Sequence, residues 1–375
     1  MPYEFYSRIL GRNHNRRILT ALVEKGILKE EVFTYTKGTI YLYGFASDEM
    51  TISYSATPAT FKRLEQKVKN YGKWKLANIE DAKRKPVSHV IDNFVKIEIG
   101  TAEIEALWEN RYYTKYLPKH KDKHDTPFIK DKYMNHLNII KLIIENWNKA
   151  EPYQKIDMFN PCDNFGDRLH SVFSYLPAEL RAYITDADGI PLILTEFDLA
   201  NSQPAIFANY LVQEHGMAAR YDPFVEDVEK NCIYENIAEK LDITRDEAKI
   251  KMLHWLYSMV TSKAQKEFQE VYPYIGAIAH RMKSQEWDDK GQYIPFPERH
   301  KQLPMKMQRA ESRMFREVWR RLINYGYKIL PMHDAVYIVE EEYTKLNYAK
   351  EIIENTLRRD FIIKIKIKSD IIKKI

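Results

Sequence analysis

A strand-like run near the end of the chain carries an acidic residue in its middle, and this residue restricts how the chain can fold. The run, YKILPMHDAVYIVEEE, extends from Tyr327 to Glu342 and holds branched and apolar residues on both sides of His333 and Asp334. Such residues favour a β-strand. Burying a carboxylate costs several kcal/mol unless another group compensates its charge. We therefore expect another part of the chain to supply a partner for Asp334.

The expected partner is Asp198, at the end of the strand-like run LILTEFDLANSQ. Two aspartates on adjacent strands repel each other and are stable together only with cations between them. Mg²⁺ binds carboxylate, water and phosphate oxygens. Two such ions about 3.5–4 Å apart stabilise the attacking and leaving oxygens of an in-line phosphoryl transfer. The alternative is that each aspartate ends its strand and pairs with a nearby arginine or lysine.

A basic helix between the two strands suits a nucleoside triphosphate. The run RDEAKIKMLHWLYS places Arg245, Lys249, Leu253 and Tyr257 on one slowly rotating stripe of a helix. The two cations would hold phosphates, and Tyr257 would offer a flat surface to the base or sugar. The same pattern is typical of a helix with a solvated basic end and a tyrosine in the core.

The order of the remaining elements indicates an α+β fold. We predict one helix over 222–241, two long helices over 244–287 that break near Val271–Pro273, and further helices over 307–327 and 343–360. The last run, FIIKIKIKS, alternates apolar residues with lysines from Phe361 to Lys368, as a half-buried strand does. Antiparallel strands with helices on one face, and a helical insertion between the strands, would give an α+β sheet domain.

Residues 1–47 have the order helix, helix, β-hairpin of a winged helix-turn-helix. The run SRILGRNHNRRILTALVEKGIL predicts two helices around Gly11, and EVFTYTKG and TIYLYGFA predict two strands around a Lys-Gly turn. Basic and polar residues cluster where a recognition helix would meet DNA, and we expect them to bind it: Arg12, Asn15, Arg16 and Arg17. The alternative is a plain helical hairpin with a solvated basic face.

Residues 48–154 are rich in lysine, with a charged loop predicted over 115–133 and a helix over 133–150. The net charge of +5 permits nucleic-acid binding without proving it. The chain has neither an apolar run of about 18 residues nor the apolar core of a signal peptide. We therefore expect no membrane partner, a cytoplasmic location, and free thiols at Cys162 and Cys232.

Five motifs in order resemble the polymerase domain of family A DNA polymerases, the group of bacterial DNA polymerase I. They are FGDRLHSVFSYLPAELR, TEFDLANSQ, RDEAKIKMLHWLYS, FQEVYPYIGAIAHRMK and MHDAVYIVEE. The resemblance covers about 155–370, and a more distant one connects the chain to single-subunit RNA polymerases. It implies a right-hand architecture, in which an antiparallel palm sheet holds a helical fingers insertion at about 205–300.

The resemblance also implies a role for each matched residue. Asp198 and Asp334 would bind two Mg²⁺ ions, for which Mn²⁺ can substitute, with the Leu199 carbonyl as a third ligand. The residues implied to bind the nucleotide are Arg245, Lys249, Tyr257 and Gln203, and Lys249 would also protonate the leaving pyrophosphate. The residues implied to contact primer or template are His333, Arg168 and Gln308.

Several positions depart from the family pattern: Ser258 follows Tyr257, and Leu253 and Ala335 replace an aromatic residue and a glutamate. An ungapped alignment puts Gln203 where the family's DNA polymerases carry a glutamate that blocks a ribose 2′-OH. Aligning Ser202–Gln203 with the family's Ser-Gln instead displaces this gate. The choice between dNTP and rNTP therefore stays open at this point.

The chain is predicted to be a template-directed nucleotidyltransferase, namely a DNA polymerase of a plasmid, phage or other mobile element. Its partners would be template–primer DNA, nucleoside triphosphates and origin DNA. The predicted division is a winged-helix-like segment (1–47), a thumb-like helical region (48–154) and a palm with its fingers insertion (155–375). The alternatives are a primase or RNA polymerase that uses rNTPs, and a DNA-binding initiator or regulator whose polymerase-like half is inactive.

Overall fold

The structure is a computed structural model that describes residues 24, 28–35, 38–45, 76–77, 79, 81–117, 127–159, 163 and 165–372. These residues form two compact units. The first contains the described residues up to Arg84 together with Lys149–Phe159, and the second contains Lys85–Asn148 with the described residues from 163 onward. The predicted DNA-binding residues lie outside the described part of the chain: Arg12, Asn15, Arg16 and Arg17. Their role stays a prediction.

A β-hairpin lies in the first unit. β1 (Leu28–Tyr35) and β2 (Gly38–Phe45) pair antiparallel, with Leu28 opposite Phe45 and Tyr35 opposite Gly38. The predicted hairpin is therefore confirmed. The helices predicted before it lie outside the described residues, apart from Glu24, so the winged helix stays a prediction.

The next elements are α1 (Asp81–Asn93), β3 (Lys96–Ile97), α2 (Thr101–Arg111), a π-helical turn (Tyr112–Tyr116), α3 (Pro127–Lys149) and α4 (Pro152–Lys155). In the second unit, the rings of Trp108 and Tyr133 stack 5.0 Å apart between α2 and α3. Helix α3 begins at Pro127, so the prediction of a loop over 115–133 is wrong from Pro127 onward. Lys130 donates to Glu109 at 3.0 Å, and this bond ties the additional turns of α3 to α2.

The chain then continues through α5 (Val172–Tyr175), α6 (Ala178–Arg181), β4 (Ile184–Thr185) and β5 (Leu194–Leu199). A helical segment follows: α7 (Ser202–His215), α8 (Met217–Arg220), α9 (Pro223–Glu229), α10 (Ile233–Leu241), α11 (Arg245–Tyr257), α12 (Lys263–Val271), α13 (Pro273–Lys283), α14 (Phe296–Arg299) and α15 (Gln302–Asn324). The predicted break near Val271–Pro273 is confirmed.

Two of the predicted helices are divided further. The single helix predicted over 222–241 is wrong, since Asn231 has a left-handed φ of 56° and separates α9 from α10. The first long helix predicted from 244 is also interrupted. Ser258 is extended after α11, with ψ of 161°, and the Ser262 hydroxyl caps α12 by accepting the Gln265 N–H at 3.1 Å.

The last elements are β6 (Ile329–Met332), β7 (Ala335–Val339), α16 (Tyr343–Leu357) and β8 (Ile367–Ile372). The strand-like run from Tyr327 to Glu342 is a hairpin rather than one strand. Met332 is opposite Ala335, so His333 and Asp334 form its two-residue turn. Helices α15 and α16 lie where long helices were predicted.

The closing strand begins at Ile367 rather than at Phe361. The predicted alternation of burial holds, since Phe361 and Ile363 are buried while Lys364 is exposed. The backbone donors there are taken by side chains instead of a neighbouring strand. The Ile362 N–H donates to Asn209 Oδ1 at 2.8 Å, and the Lys364 N–H donates to Glu229 Oε1 at 2.7 Å.

A four-stranded antiparallel sheet in the order β6–β7–β5–β8 brings distant parts of the chain together. Its inner strands bury Leu194, Phe197, Val336 and Ile338. The helical segment from α7 to α15 lies between β5 and β6 in the sequence, so the described residues confirm the α+β fold class with a helical insertion. Among these residues, none of the helices has the length and apolar character that crossing a bilayer requires.

Candidate active site

Two aspartates lie together at one end of the sheet. In the ladder between β5 and β7, Asp198 is opposite Ala335, the residue after Asp334. The pKa of Asp198 is raised to about 7, first by burial and then by the charges of Asp334 and Glu196. The structure thus brings the predicted pair within electrostatic reach, with like charges opposing each other.

Two lysines oppose this effect from different elements. Lys368 of β8 is opposite Asp198 in the strand ladder. Lys368 and Lys249 of α11 each act to lower the pKa of Asp198. Lys249 was predicted to serve this site, whereas Lys368 was predicted only as part of a basic strand face.

A third acid, Glu196, shares a strand face with Asp198 but is already hydrogen-bonded. The hydroxyl of Tyr337 donates to Glu196 Oε1 at 2.5 Å, and the Arg181 guanidinium donates to the same hydroxyl. Glu196 is therefore held by the sheet, and Asp198 and Asp334 remain as the paired acids of the site.

The donor set fits Mg²⁺. Within the described residues, no group of three or more His, Cys, Asp or Glu side chains is arranged to hold a metal ion. Mg²⁺ commonly uses only one or two carboxylates together with water and substrate phosphates. Two opposed, half-buried aspartates match that requirement, because a cation between them relieves their repulsion. Leu199, the expected backbone ligand, follows Asp198 directly and is buried.

Helix α11 presents its predicted stripe to one side. Arg245, Lys249 and Leu253 are exposed and Tyr257 is half-buried. Arg245 Nε donates to Glu235 Oε1 of α10 at 2.6 Å. The cation that was predicted to hold phosphate therefore has a carboxylate partner.

Tyr234 is a site residue that the sequence interpretation missed. It is buried on α10, and the Arg245 guanidinium lies 5.5 Å from the centre of its ring. Burial raises the pKa of its hydroxyl to about 12, with further contributions from the charges of Asp198 and Asp334. Tyr234 therefore lies beside Arg245 and within electrostatic reach of the acidic pair.

A chain of hydrogen bonds joins three predicted residues. Gln308 Nε2 of α15 donates to the Tyr257 hydroxyl at 3.1 Å, and this hydroxyl donates to Gln203 Oε1 of α7 at 3.2 Å. Gln203 Nε2 in turn donates to Glu311 Oε1 at 2.6 Å. The structure brings Gln203, Tyr257 and Gln308 together.

Glu311 of α15 ends this chain and was also missed. Its side chain is fully buried, and its carboxylate accepts hydrogen bonds from Ser202 at 2.8 Å and from the Arg168 guanidinium. Burial raises its pKa, as does the charge of Asp334, whereas Arg168 acts in the opposite direction. An acid on the apolar stripe of an amphipathic helix, spaced with the buried Met307 and Met314, is the signal that would have identified it.

His333 lies in the hairpin turn against a second histidine. Its ring centre is 4.8 Å from that of His170, and His170 Nε2 lies 3.0 Å from Asp163 Oδ2. Burial, followed by the charge of Arg168, lowers the pKa of His333 to about 4, so its imidazole is neutral near pH 7. Arg168 therefore lies close to His333 as well as to Glu311.

The lack of a side chain at Gly166 leaves room for the side chain of Gln308. A Cβ at residue 166 would lie 2.5 Å from Gln308 Oε1 and 2.9 Å from Gln308 Cβ. The backbone N–H of Gly166 donates to Asp163 Oδ1 at 2.5 Å within the loop, and Arg309 Nε of α15 donates to the Phe165 carbonyl at 3.1 Å. The glycine of the motif beginning FGDR thus has a steric reason at this position.

No protein-family model matches the chain. No curated protein matches it either. Among solved structures, it is similar to the POL domain of Pol1 from M. smegmatis in complex with DNA primer-template and dNTP, with a TM-score of 0.45 and 12% sequence identity. That comparison covers 82% of this chain and 65% of the other, so the chain spans less than two thirds of that protein's length. The likeness concerns the fold alone.

Proposed function

We propose that the protein is a template-directed nucleotidyltransferase, a DNA polymerase that extends a primer. The observation that carries the proposal is the pair Asp198 and Asp334 at one sheet end, with Lys249 within electrostatic reach. Opposed carboxylates beside a basic helix suit a reaction in which phosphate charge must be held and neutralised. The motif resemblance supports the same reaction.

The reaction is an in-line displacement. The primer 3′-hydroxyl attacks the α-phosphate of a dNTP, a new P–O bond forms, and the bond to the β-phosphate breaks to release pyrophosphate. Mg²⁺ held by Asp198, Asp334 and the Leu199 carbonyl, or Mn²⁺ in its place, would neutralise charge on the attacking and leaving oxygens.

The basic helix binds the triphosphate. Arg245 exchanges its bond to Glu235 for a bond to phosphate oxygens, and Lys249 binds the same group and protonates the leaving pyrophosphate. Tyr257 and Gln203 form the wall beside the nucleotide. These roles depend on exposed cations, which a ligand reaches without unfolding any helix.

Primer and template contact the side of the site opposite the basic helix α11. His333 is neutral near pH 7 and offers a ring nitrogen as a hydrogen-bond donor to the terminal phosphate. Arg168 and Gln308 contact the primer end and the template. The thumb-like region over 48–154 and the basic N-terminal cluster would hold duplex and origin DNA of a plasmid, phage or other mobile element.

A primase or RNA polymerase is the second candidate, and Gln203 favours it. In the ungapped alignment Gln203 replaces the glutamate that blocks a ribose 2′-OH, and its amide oxygen accepts from the Tyr257 hydroxyl. An inactive DNA-binding regulator is the third candidate. The opposed aspartates argue against it, because a fold without activity gains nothing from their repulsion.

The test is incorporation on a labelled template, with and without an annealed primer, in Mg²⁺ and with dNTPs or rNTPs supplied separately. We expect the wild-type protein to extend the primer with dNTPs and Asp334→Ala to abolish this extension. Asp188→Asn, which changes an exposed aspartate outside the site, is the matched control. Products made without primer or from rNTPs would favour the primase or RNA polymerase, and duplex binding without any incorporation would favour the regulator.

A further inference from the structure

Glu311 is a buried carboxylate that the proposed reaction does not use. Its side chain has no exposed surface, and three donors converge on its two oxygens. A buried carboxylate is stable only where its hydrogen bonds and its charge are satisfied. These donors come from Ser202 and Gln203 at the start of α7 and from Arg168 in the loop before α5, far apart in the sequence.

Two of the three donors were assigned to the proposed active site. Gln203 belongs to the nucleotide side of the proposed site and Arg168 to its primer side. Glu311 Oε1 accepts from Gln203 at 2.6 Å, and Oε2 accepts from Arg168. One carboxylate therefore holds a residue of each side at once.

The carboxylate also sets the direction of the hydrogen-bond chain. An ionised carboxylate only accepts hydrogen bonds, so the amide of Gln203 must turn its Nε2 toward Glu311 and its Oε1 toward Tyr257. The Tyr257 hydroxyl must then donate to Gln203, which leaves its lone pairs for Gln308 and for a ligand. Without the charge at Glu311, the amide is free to turn over and the hydroxyl loses its fixed direction.

We propose that Glu311 is a positioning residue that orients Gln203 and Tyr257 toward the nucleotide and Arg168 toward the primer end. The proposal rests on the proposed function. A carboxylate that served stability alone would need compensation for its charge, but it would have no need to fix the direction of a chain that ends at the nucleotide.

Two variants separate the effect of Glu311 on Gln203 from its effect on Arg168. Glu311→Gln keeps the shape and removes the charge, so it disturbs both Gln203 and Arg168. Glu311→Asp keeps the charge but shortens the side chain by one methylene. The long, charged Arg168 side chain can follow the withdrawn carboxylate more readily than the shorter, neutral Gln203 amide, and this variant keeps the test open if Glu311→Gln does not fold. Glu317→Gln is the matched control, because Glu317 lies on the same helix and bonds Arg320 and Arg321 away from this cluster.

The measurements are kcat and KM for dNTP and rNTP, the Kd for primer–template, and the Tm of each variant. We expect Glu311→Asp to raise the KM for dNTP and to reduce discrimination between dNTP and rNTP by about tenfold. Its Kd for primer–template should not change. Glu311→Gln should show the same loss and weaker primer–template binding, and Glu317→Gln should match the wild type.

Three results would overturn the proposal. Folded Glu311 variants with wild-type KM and discrimination would remove any positioning role. A loss of kcat that is equal for dNTP and rNTP and follows the loss of Tm, with the KM values and the discrimination between dNTP and rNTP unchanged, would assign Glu311 to stability alone. A wild-type protein that incorporates neither dNTP nor rNTP would overturn the proposed function and this inference with it, and it would do so before any variant is compared.

Discussion

The backbone N–H of Leu199 donates to the carbonyl oxygen of Asp334 at 3.2 Å. This bond continues the ladder between β5 and β7 by one step and joins the end of β5 to the hairpin turn. As a result, Asp198 and Asp334 are positioned by backbone bonds rather than by contacts between their side chains. A substitution of either carboxylate should therefore change charge at the site and leave the sheet intact.

Mg²⁺ with dNTP should raise the Tm of the wild-type protein. A ligand that binds only the folded state stabilises it by about 2.7 kcal/mol at a concentration 100 times its Kd. Asp198→Ala should abolish the shift, since it removes one of the two paired carboxylates, and Asp188→Asn should preserve it. The measurement is thermal unfolding with and without both ligands. An equal shift in Asp198→Ala would place the binding site elsewhere.

Glu235→Gln should lower the KM for dNTP. Arg245 and Glu235 are each about half exposed, with side-chain exposures of 46% and 49%, so their ion pair is worth roughly 0.2–1 kcal/mol. Removing the competing carboxylate should therefore tighten nucleotide binding by about 1.4-fold to fivefold, while Arg245→Ala should weaken it. Glu226→Gln, which breaks a pair with Lys230, is the control in steady-state kinetics. A higher KM in Glu235→Gln would contradict competition for Arg245.

Gly166→Ala should reduce the free energy of primer–template binding by more than it reduces the free energy of unfolding. The new methyl group would meet the Gln308 side chain at 2.5–2.9 Å and displace it from Tyr257. Gly100→Ala is the control, because a Cβ there meets nothing within 4 Å. Binding is measured by fluorescence anisotropy and stability by thermal unfolding. Unchanged affinity in Gly166→Ala would show that Gln308 is not needed at its observed position.

His89 should make the protein less stable in mild acid. Its Nε2 accepts the Ile329 N–H at 2.9 Å, which requires the neutral ring, and burial followed by the charge of Lys85 lowers its pKa to about 4. Between pH 6.5 and 4 the unfolded state binds a proton that the folded state does not. Stability is therefore complete above pH 6.5 and falls with pH through this window, by roughly 1–3 kcal/mol.

His89→Gln is the variant that tests this pH dependence. Its amide oxygen can accept the same N–H without titrating, so urea unfolding at several pH values should lose this slope. A variant that keeps the full slope between pH 6.5 and 4 would assign it to another group.

Local sequence pattern determined much of the chain. The strand that carries Asp198, the long helices α15 and α16 and the hairpin of β1 and β2 all lie where periodicity predicted them. The acidic pair, the basic stripe of α11 and the three residues of the hydrogen-bond chain were also named from the sequence. The elements and the stripe depend on residues that are near each other in the chain, so their patterns are visible there. Asp198 and Asp334 were paired because each lies in a strand-like run, and Gln203 and Gln308 were named through the motif resemblance.

Only the tertiary structure decided the remaining features, because their partners are distant in the sequence. Residues 361–366 alternate like a strand, yet Asn209 and Glu229 take backbone bonds that a ladder would need. The turn at His333 and Asp334 has none of the Gly or Asn residues that usually mark a tight hairpin. Glu311 appears in the sequence as one more charge on a helix, and it becomes the centre of a buried network only when Arg168 and Gln203 fold against it.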